Sequence, residues 1–113
     1  MNVQKFNEIV AAQIKRSTDI LCVKAKEYAT EDRLHNFKTA AALEGLTPRQ
    51  ALAGMMAKHT VSVYDMCMSS SDFSREMWEE KITDHINYLL LLKAIVEEEL
   101  QKGVKCQDAD RLE

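Results

Sequence analysis

Breakers of regular structure are scarce in this chain, with three glycines and one proline in 113 residues. Ala, Leu, Met, Glu and Lys are frequent instead, and that composition favours helix. Cysteine is scarce too. Cys22, Cys67 and Cys106 are odd in number and widely spaced, which points away from a disulfide framework or zinc site and towards reduced thiols. No long uncharged apolar run occurs: Ile86–Leu92 is interrupted by Asn87 and closed by Lys93, so no membrane span is expected. The first residues mix Gln4, Lys5 and Glu8 with apolar ones, unlike a signal peptide. A basic excess is also missing. The 15 Lys+Arg against 18 Asp+Glu give a net charge of −3, so there is no global basic surface to draw the chain onto nucleic acid. The expectation is one soluble, cytoplasmic domain over residues 1–104, with a polar, disordered tail over 105–113.

Familiar catalytic signatures are equally absent. The chain has no Gly-x-Ser-x-Gly elbow, no Gly-x-x-x-x-Gly-Lys phosphate loop and no Gly-x-Gly-x-x-Gly. Its cysteines carry no cue for activation. A nucleotide, if bound, would have to be held by helices.

What is present is helical periodicity. Residues 2 to about 28 carry Val3, Phe6, Val10, Ile14, Leu21, Ala25 and Tyr28 on roughly one face, interrupted by Ser17 and Lys24. Ser17 is small enough to let another helix approach. Residues 29–37 read as a connection in which Asp32 or Asn36 caps the next helix. That short helix, over about Phe37–Glu44, ends at Gly45, which suits the left-handed position after a helix. Thr47-Pro48-Arg49-Gln50 is the clearest local signal: Thr47 caps, Pro48 suits the first turn, and Gln50 completes a capping box. The helix it opens runs to about Met68, with Leu52, Met55, Met56, His59, Val63 and Met66 on its apolar face. The last helix runs from about Phe73 to Gln101, stopped by Gly103. On it Trp78, Ile82, His85, Leu89, Leu92 and Val96 share one face. Glu97, Glu98 and Glu99 near its end, where the helix dipole disfavours acids, read as solvated surface.

Polar stripes run beside these apolar faces. Glu80, Asp84 and Asn87 lie at i, i+4, i+7 on the last helix, and Lys58, Ser62 and Asp65 repeat that spacing on the one before. Acids in an apolar run either find internal partners or mark a site. Two arrangements are open: Lys58 beside Asp84, or Asp65 grouped with Glu80 and Asp84. The second suits Mg²⁺, a hard ion that takes oxygen ligands, with Asp84, Glu80 and Asp65 as ligands and Asn87 as a neutral donor. Salt bridges with Lys58 and Lys81, or plain exposure, explain the same residues without a metal. His59 and His85 lack the His-x-x-x-His or Glu-x-x-His partners of transition-metal helices and read as core histidines. The six methionines read as adaptable core filler.

Lys26-Glu27-Tyr28, Asn36-Phe37, Leu46-Thr47-Pro48, Lys58-His59 and Asp84-His85-Ile86-Asn87-Tyr88 together resemble the nucleotide-modification-associated domains of phages. More distantly, the chain resembles the all-α nucleoside triphosphate pyrophosphohydrolases, the MazG and dimeric dUTPase group. The resemblance spans roughly Lys24–Leu92. It implies a helical bundle that assembles as a dimer or tetramer and an Mg²⁺-assisted attack of water on a nucleoside triphosphate. In that group a Glu-Glu-x-x-Glu run and a Glu-x-x-Asp bind the metals. Asp84 fits the final Asp, but Lys81 stands where its Glu belongs, and the first motif has no counterpart here.

The expected fold is therefore all-α and four-helix bundle-like, with three long helices and one short one, self-associating as a homo-oligomer. The expected function is binding of a nucleotide or nucleotide-derived ligand. Asn36 and Asn87 would orient that ligand, Lys58 would meet phosphate, and Mg²⁺ would sit at Asp84, Glu80 and Asp65, with pyrophosphohydrolase activity not favoured. The alternative is a non-enzymatic oligomeric interaction module whose polar stripes only set helix register.

Overall fold

The structure, a computed structural model, describes residues 1–23 and 31–103. Among these residues it is all-helical: α1 (Val3–Thr18), a π-helical turn (Asp19–Val23), α2 (His35–Glu44), α3 (Pro48–Met68) and α4 (Arg75–Lys102). The expected tail over 105–113, Cys106 and the Lys24, Ala25 and Tyr28 part of the first apolar face lie outside the described residues.

The helix ends arise from local chemistry. Asn2 Oδ1 accepts from the Lys5 amide at 2.8 Å and opens α1. Thr47 closes its capping box with Gln50 in both directions, and Pro48 takes the first helical position, where its missing N–H costs nothing. Gly45, at φ 69°, ends α2 in the left-handed region. Ser74 caps α4, two residues later than the periodicity suggests, by accepting from the Met77 amide. Asp32, not Asn36, organises the entry to α2: its Oδ1 accepts from the Leu34 amide at 2.9 Å and its carbonyl from the His35 amide.

α3 turns its expected apolar face inward. Leu52 is fully buried, Met66 is buried, and Met55, Met56, His59 and Val63 are half-buried. Leu52 joins Leu34, Phe37 and Ile95 in the core, with Met55, Met56, Tyr88, Leu91 and Leu92 packed around them. α2 packs on α3, with Ala41 of the one and Ala51 of the other buried, while α3 and α1 both pack on α4.

Two helices sit differently from their periodicity. The buried residues of α4 are Thr83, Asn87 and Ile95, spaced along one seam, while Ile82 and Leu89 of the expected face are exposed. Apolar periodicity misplaces this face because the seam carries polar as well as apolar residues. α1 departs further: Val3, Phe6, Val10 and Ile14 all face solvent, and its only buried residue is Ser17. Gln13 holds α1 to α4 by donating to Thr83 Oγ1 at 2.9 Å and to Ser17 Oγ at 3.2 Å. Ser17 thus does what a small residue permits, a close helix approach. The glutamates read as solvated lie at the surface, and each also holds a cation: Glu97 pairs with Lys93, Glu98 with Lys38 and Lys102, and Glu99 with Arg49.

Candidate functional site

A cleft of about 430 Å³ opens where the π-helical turn, the entry to α2 and the middle of α4 come together. The π turn contributes Ile20 and Leu21. A π turn disturbs the regular helical hydrogen-bond ladder and often accompanies functional sites; here Arg33 Nη2 donates to the Leu21 carbonyl at 3.1 Å. The start of α2 contributes His35, Asn36 and Phe37, and the preceding turn contributes Asp32 and Arg33. α4 contributes Asp84, Asn87, Tyr88 and Leu91, which lie on one side of that helix by their i, i+3, i+4, i+7 spacing.

Asp32 is held in place by a network of charges. Its Oδ2 lies 2.7 Å from Lys38 Nζ, which also reaches Glu98 Oε1 at 2.8 Å, and Glu98 in turn meets Lys102. The Lys38 ammonium, with the Leu34 amide, holds the Asp32 carboxyl below the usual carboxylate range. Glu98 is lowered by Lys38 and then Lys102, and Lys38 is raised by its two carboxylates.

Asp84 differs. It is half-buried, lines the cleft and has no ion pair or hydrogen bond among the described residues. One helical turn on, Asn87 is 7% exposed and its buried Oδ1 has no hydrogen-bond partner. Buried polar atoms are almost always paired, and each exception calls for an explanation. The cleft is thus lined by an unpaired carboxylate and, one helical turn on, by the Asn87 side chain, whose carbonyl oxygen is itself covered; Leu21, Leu91 and Tyr88 complete the lining.

Of the residues singled out from sequence, Asp84, Asn87 and Asn36 meet in this cleft. Lys58 does not line it. It lies in a neighbouring depression with Glu44, Gly54 and Met55, and Tyr88 is the wall the two share. Asp65 and Glu80 are exposed and line neither. Neither arrangement open to the sequence is adopted among the described residues: no ion pair joins Lys58 to Asp84, and no group of three His, Cys, Asp or Glu side chains gathers where a metal ion could be held. Both histidines are half-buried: His85 Nε2 lies 2.9 Å from Thr60 Oγ1, and the His59 ring sits 4.7 Å from that of Tyr88.

Comparison with family models, curated proteins and solved structures found no match for this chain. Sequence reasoning missed Ile20, Leu21, Arg33 and Leu91 as cleft residues, and the π turn that carries the first two has no sequence signal of its own. Tyr88 is visible in the sequence only as part of a motif; its place as the wall between two depressions comes from α3 packing against α4.

Proposed function

We propose that the chain binds a nucleotide or nucleotide-derived ligand, with the base seated between α2 and α4. The observation that carries this reading is the unpaired Asp84 carboxylate lining the cleft one helical turn before Asn87, whose buried Oδ1 has no partner and becomes an acceptor for a ligand when the amide turns outward. Two neighbouring acceptors select a ligand that donates twice, and a nucleobase edge bearing ring N–H and amino groups does so. Leu21, Leu91 and the Tyr88 ring suit a flat, partly apolar body. An unpaired buried acceptor costs about 1–3 kcal/mol, so a ligand that donates to Asn87 recovers that penalty on binding. Asn36, exposed at the start of α2, is placed to orient the sugar, and phosphates that pass Tyr88 meet Lys58.

The proposal is one of binding, in keeping with the resemblance to phage nucleotide-modification-associated domains. Asp65 and Glu80 stand apart from the cleft, so an Mg²⁺ ion brought in by phosphate oxygens would have Asp84 as its one carboxylate from the expected set.

A thermal-shift panel of nucleosides and their mono-, di- and triphosphates, each with and without Mg²⁺, tests this reading. A ligand at ten times its Kd adds about 1.4 kcal/mol of stability. For a chain of this length that is a rise of about 6 °C in Tm. Asp84→Asn should remove the response to every ligand, and Lys58→Ala should weaken the response to di- and triphosphates while sparing nucleosides. No shift for any nucleoside or nucleotide at millimolar concentration overturns the proposal.

A further inference from the structure

A second cavity, of about 500 Å³, lies between α1 and the start of α4 and shares no lining residue with the nucleotide cleft. Its size is that of sites holding small organic molecules. Part of its lining is aromatic. Phe73, just before α4, and Trp78, within it, meet edge to face, with ring centroids 5.9 Å apart and planes at 90°. Ile9 of α1 and Ile82 of α4 extend this apolar surface. The polar part of the lining is unbalanced. Its charged side chains are Arg16, Glu79 and Arg75. Arg16 Nη2 lies 3.0 Å from Glu79 Oε2, so the one acid is already paired. The exposed Arg75 side chain has no ion pair or hydrogen bond among the described residues. The indole N–H of the half-buried Trp78 has no partner there either, and it keeps access to solvent. A guanidinium and an indole N–H, both donors only, are thus left over beside an aromatic corner.

We infer that this cavity binds a small aromatic monocarboxylate, its ring in the corner made by Phe73 and Trp78 and its carboxylate on Arg75. Three features of the lining select that class. First, the planar guanidinium fork matches the two oxygens of a carboxylate, and the Trp78 indole N–H is a further donor to the same group. Secondly, aromatic rings favour edge-to-face and offset contacts with other rings, and an edge-to-face pair offers both an edge and a face to a third ring. Thirdly, with Glu79 held by Arg16, one positive charge is left without a counterpart. A monoanion neutralises it, whereas a phosphate monoester would set a second negative charge against Glu79. The two cavities have separate linings, so this inference and the nucleotide reading stand or fall independently.

Trp78 is the only tryptophan in the chain, so the ¹⁵N-labelled protein gives a single indole N–H resonance. Phenylacetate and hydrocinnamate, which differ in the length of the arm between ring and acid, are titrated against it. Their amides, acetate and phenyl phosphate are titrated in parallel. A saturable shift of the indole signal is expected with at least one of the two acids at millimolar concentration. Its amide, which lacks the charge, and acetate, which lacks the ring, should each bind at least about tenfold more weakly. Arg75→Gln should weaken the acid about tenfold and leave the amide unchanged. Arg75 is exposed and unpaired among the described residues, so far-UV circular dichroism and Tm should stay as in the wild type. No saturable shift with either acid overturns the inference. So does an amide or acetate that binds as well as the acid, or phenyl phosphate that binds more tightly. Undiminished binding of the acid to Arg75→Gln overturns it as well. Should that variant lose helicity, the comparison of acid with amide on the wild-type chain decides.

Discussion

Replacing Asn87 with leucine should make the chain more stable and, in the same step, remove its ligand response. Asn87 is 7% exposed, and its Oδ1 is buried without a hydrogen-bond partner. Leaving such an acceptor unpaired costs about 1–3 kcal/mol, whereas an apolar group of similar shape in its place carries no such penalty. Leucine keeps the branch at Cγ, and the adjoining cleft of about 430 Å³ has room for its added volume. Overpacking should therefore take back only part of the gain. The net expectation is a rise of about 1–2 kcal/mol in unfolding free energy. At roughly 0.24 kcal/mol per kelvin of unfolding entropy for this length, Tm should rise by about 4–8 °C. Thermal melts of the wild type and Asn87→Leu at one protein concentration measure this, since association would make Tm depend on concentration. A fall in Tm of the same size would refute the reasoning, because it would mean that the Asn87 amide is paired and holds the fold together. A rise in Tm with the nucleotide response intact would keep the energetics and remove Asn87 from the site.

Leu52→Ala should cost about 2–5 kcal/mol in urea unfolding, since Leu52 is fully buried between α3 and its neighbours and the gap would close only in part; a loss under about 1 kcal/mol would show that the core collapses around it. Gly45→Ala should cost about 1–2 kcal/mol purely through the left-handed backbone, because an added Cβ meets nothing within 4 Å; no change in the urea midpoint would mean that the turn relaxes freely. Lys38 holds Asp32 and Glu98 below the usual carboxylate range, so their contribution is present at neutral pH and lost as the pH falls through those depressed folded values. The raised Lys38 works the other way, its contribution being lost only as the pH rises through its folded value, far into alkali. The stability gap between wild type and Lys38→Met should therefore shrink in acid and in high salt, these groups being exposed; a gap independent of both would contradict the ion-pair origin.

The parts of the fold set by short-range chemistry are legible in the residues. Thr47-Pro48-Arg49-Gln50 marks the start of α3, Gly45 the end of α2 and Gly103 the end of α4, because caps and left-handed residues act over a few positions. Asp84 and Asn87 are legible as candidates for the cleft for a related reason: polar groups inside apolar periodicity need a partner or a purpose, while Asn36 stands out only as a polar residue in a connection between helices. What periodicity does not encode is which surface covers an apolar face. The outward face of α1 reads the same as an inward one, and α4 hides Thr83 and Asn87 while exposing Leu89. Lys58 and Asp84 share a stripe pattern, but the way α3 lies on α4 puts Tyr88 between their cavities. The π turn at Asp19–Val23, which carries Ile20 and Leu21 of the cleft lining, has no marker among the residues it contains.

Whether Asn87 accepts a hydrogen bond from a bound base is read most directly from its own side-chain amide. In a ¹⁵N-labelled chain that resonance is assigned by its disappearance in Asn87→Leu, and it is then tracked through titrations with nucleosides and nucleotides. Binding as proposed predicts a saturable shift of the Asn87 side-chain signal together with the backbone amides of Asn36, Asp84 and Tyr88. An Asn87 signal that stays fixed at millimolar ligand, or while other regions of the chain saturate, would contradict it.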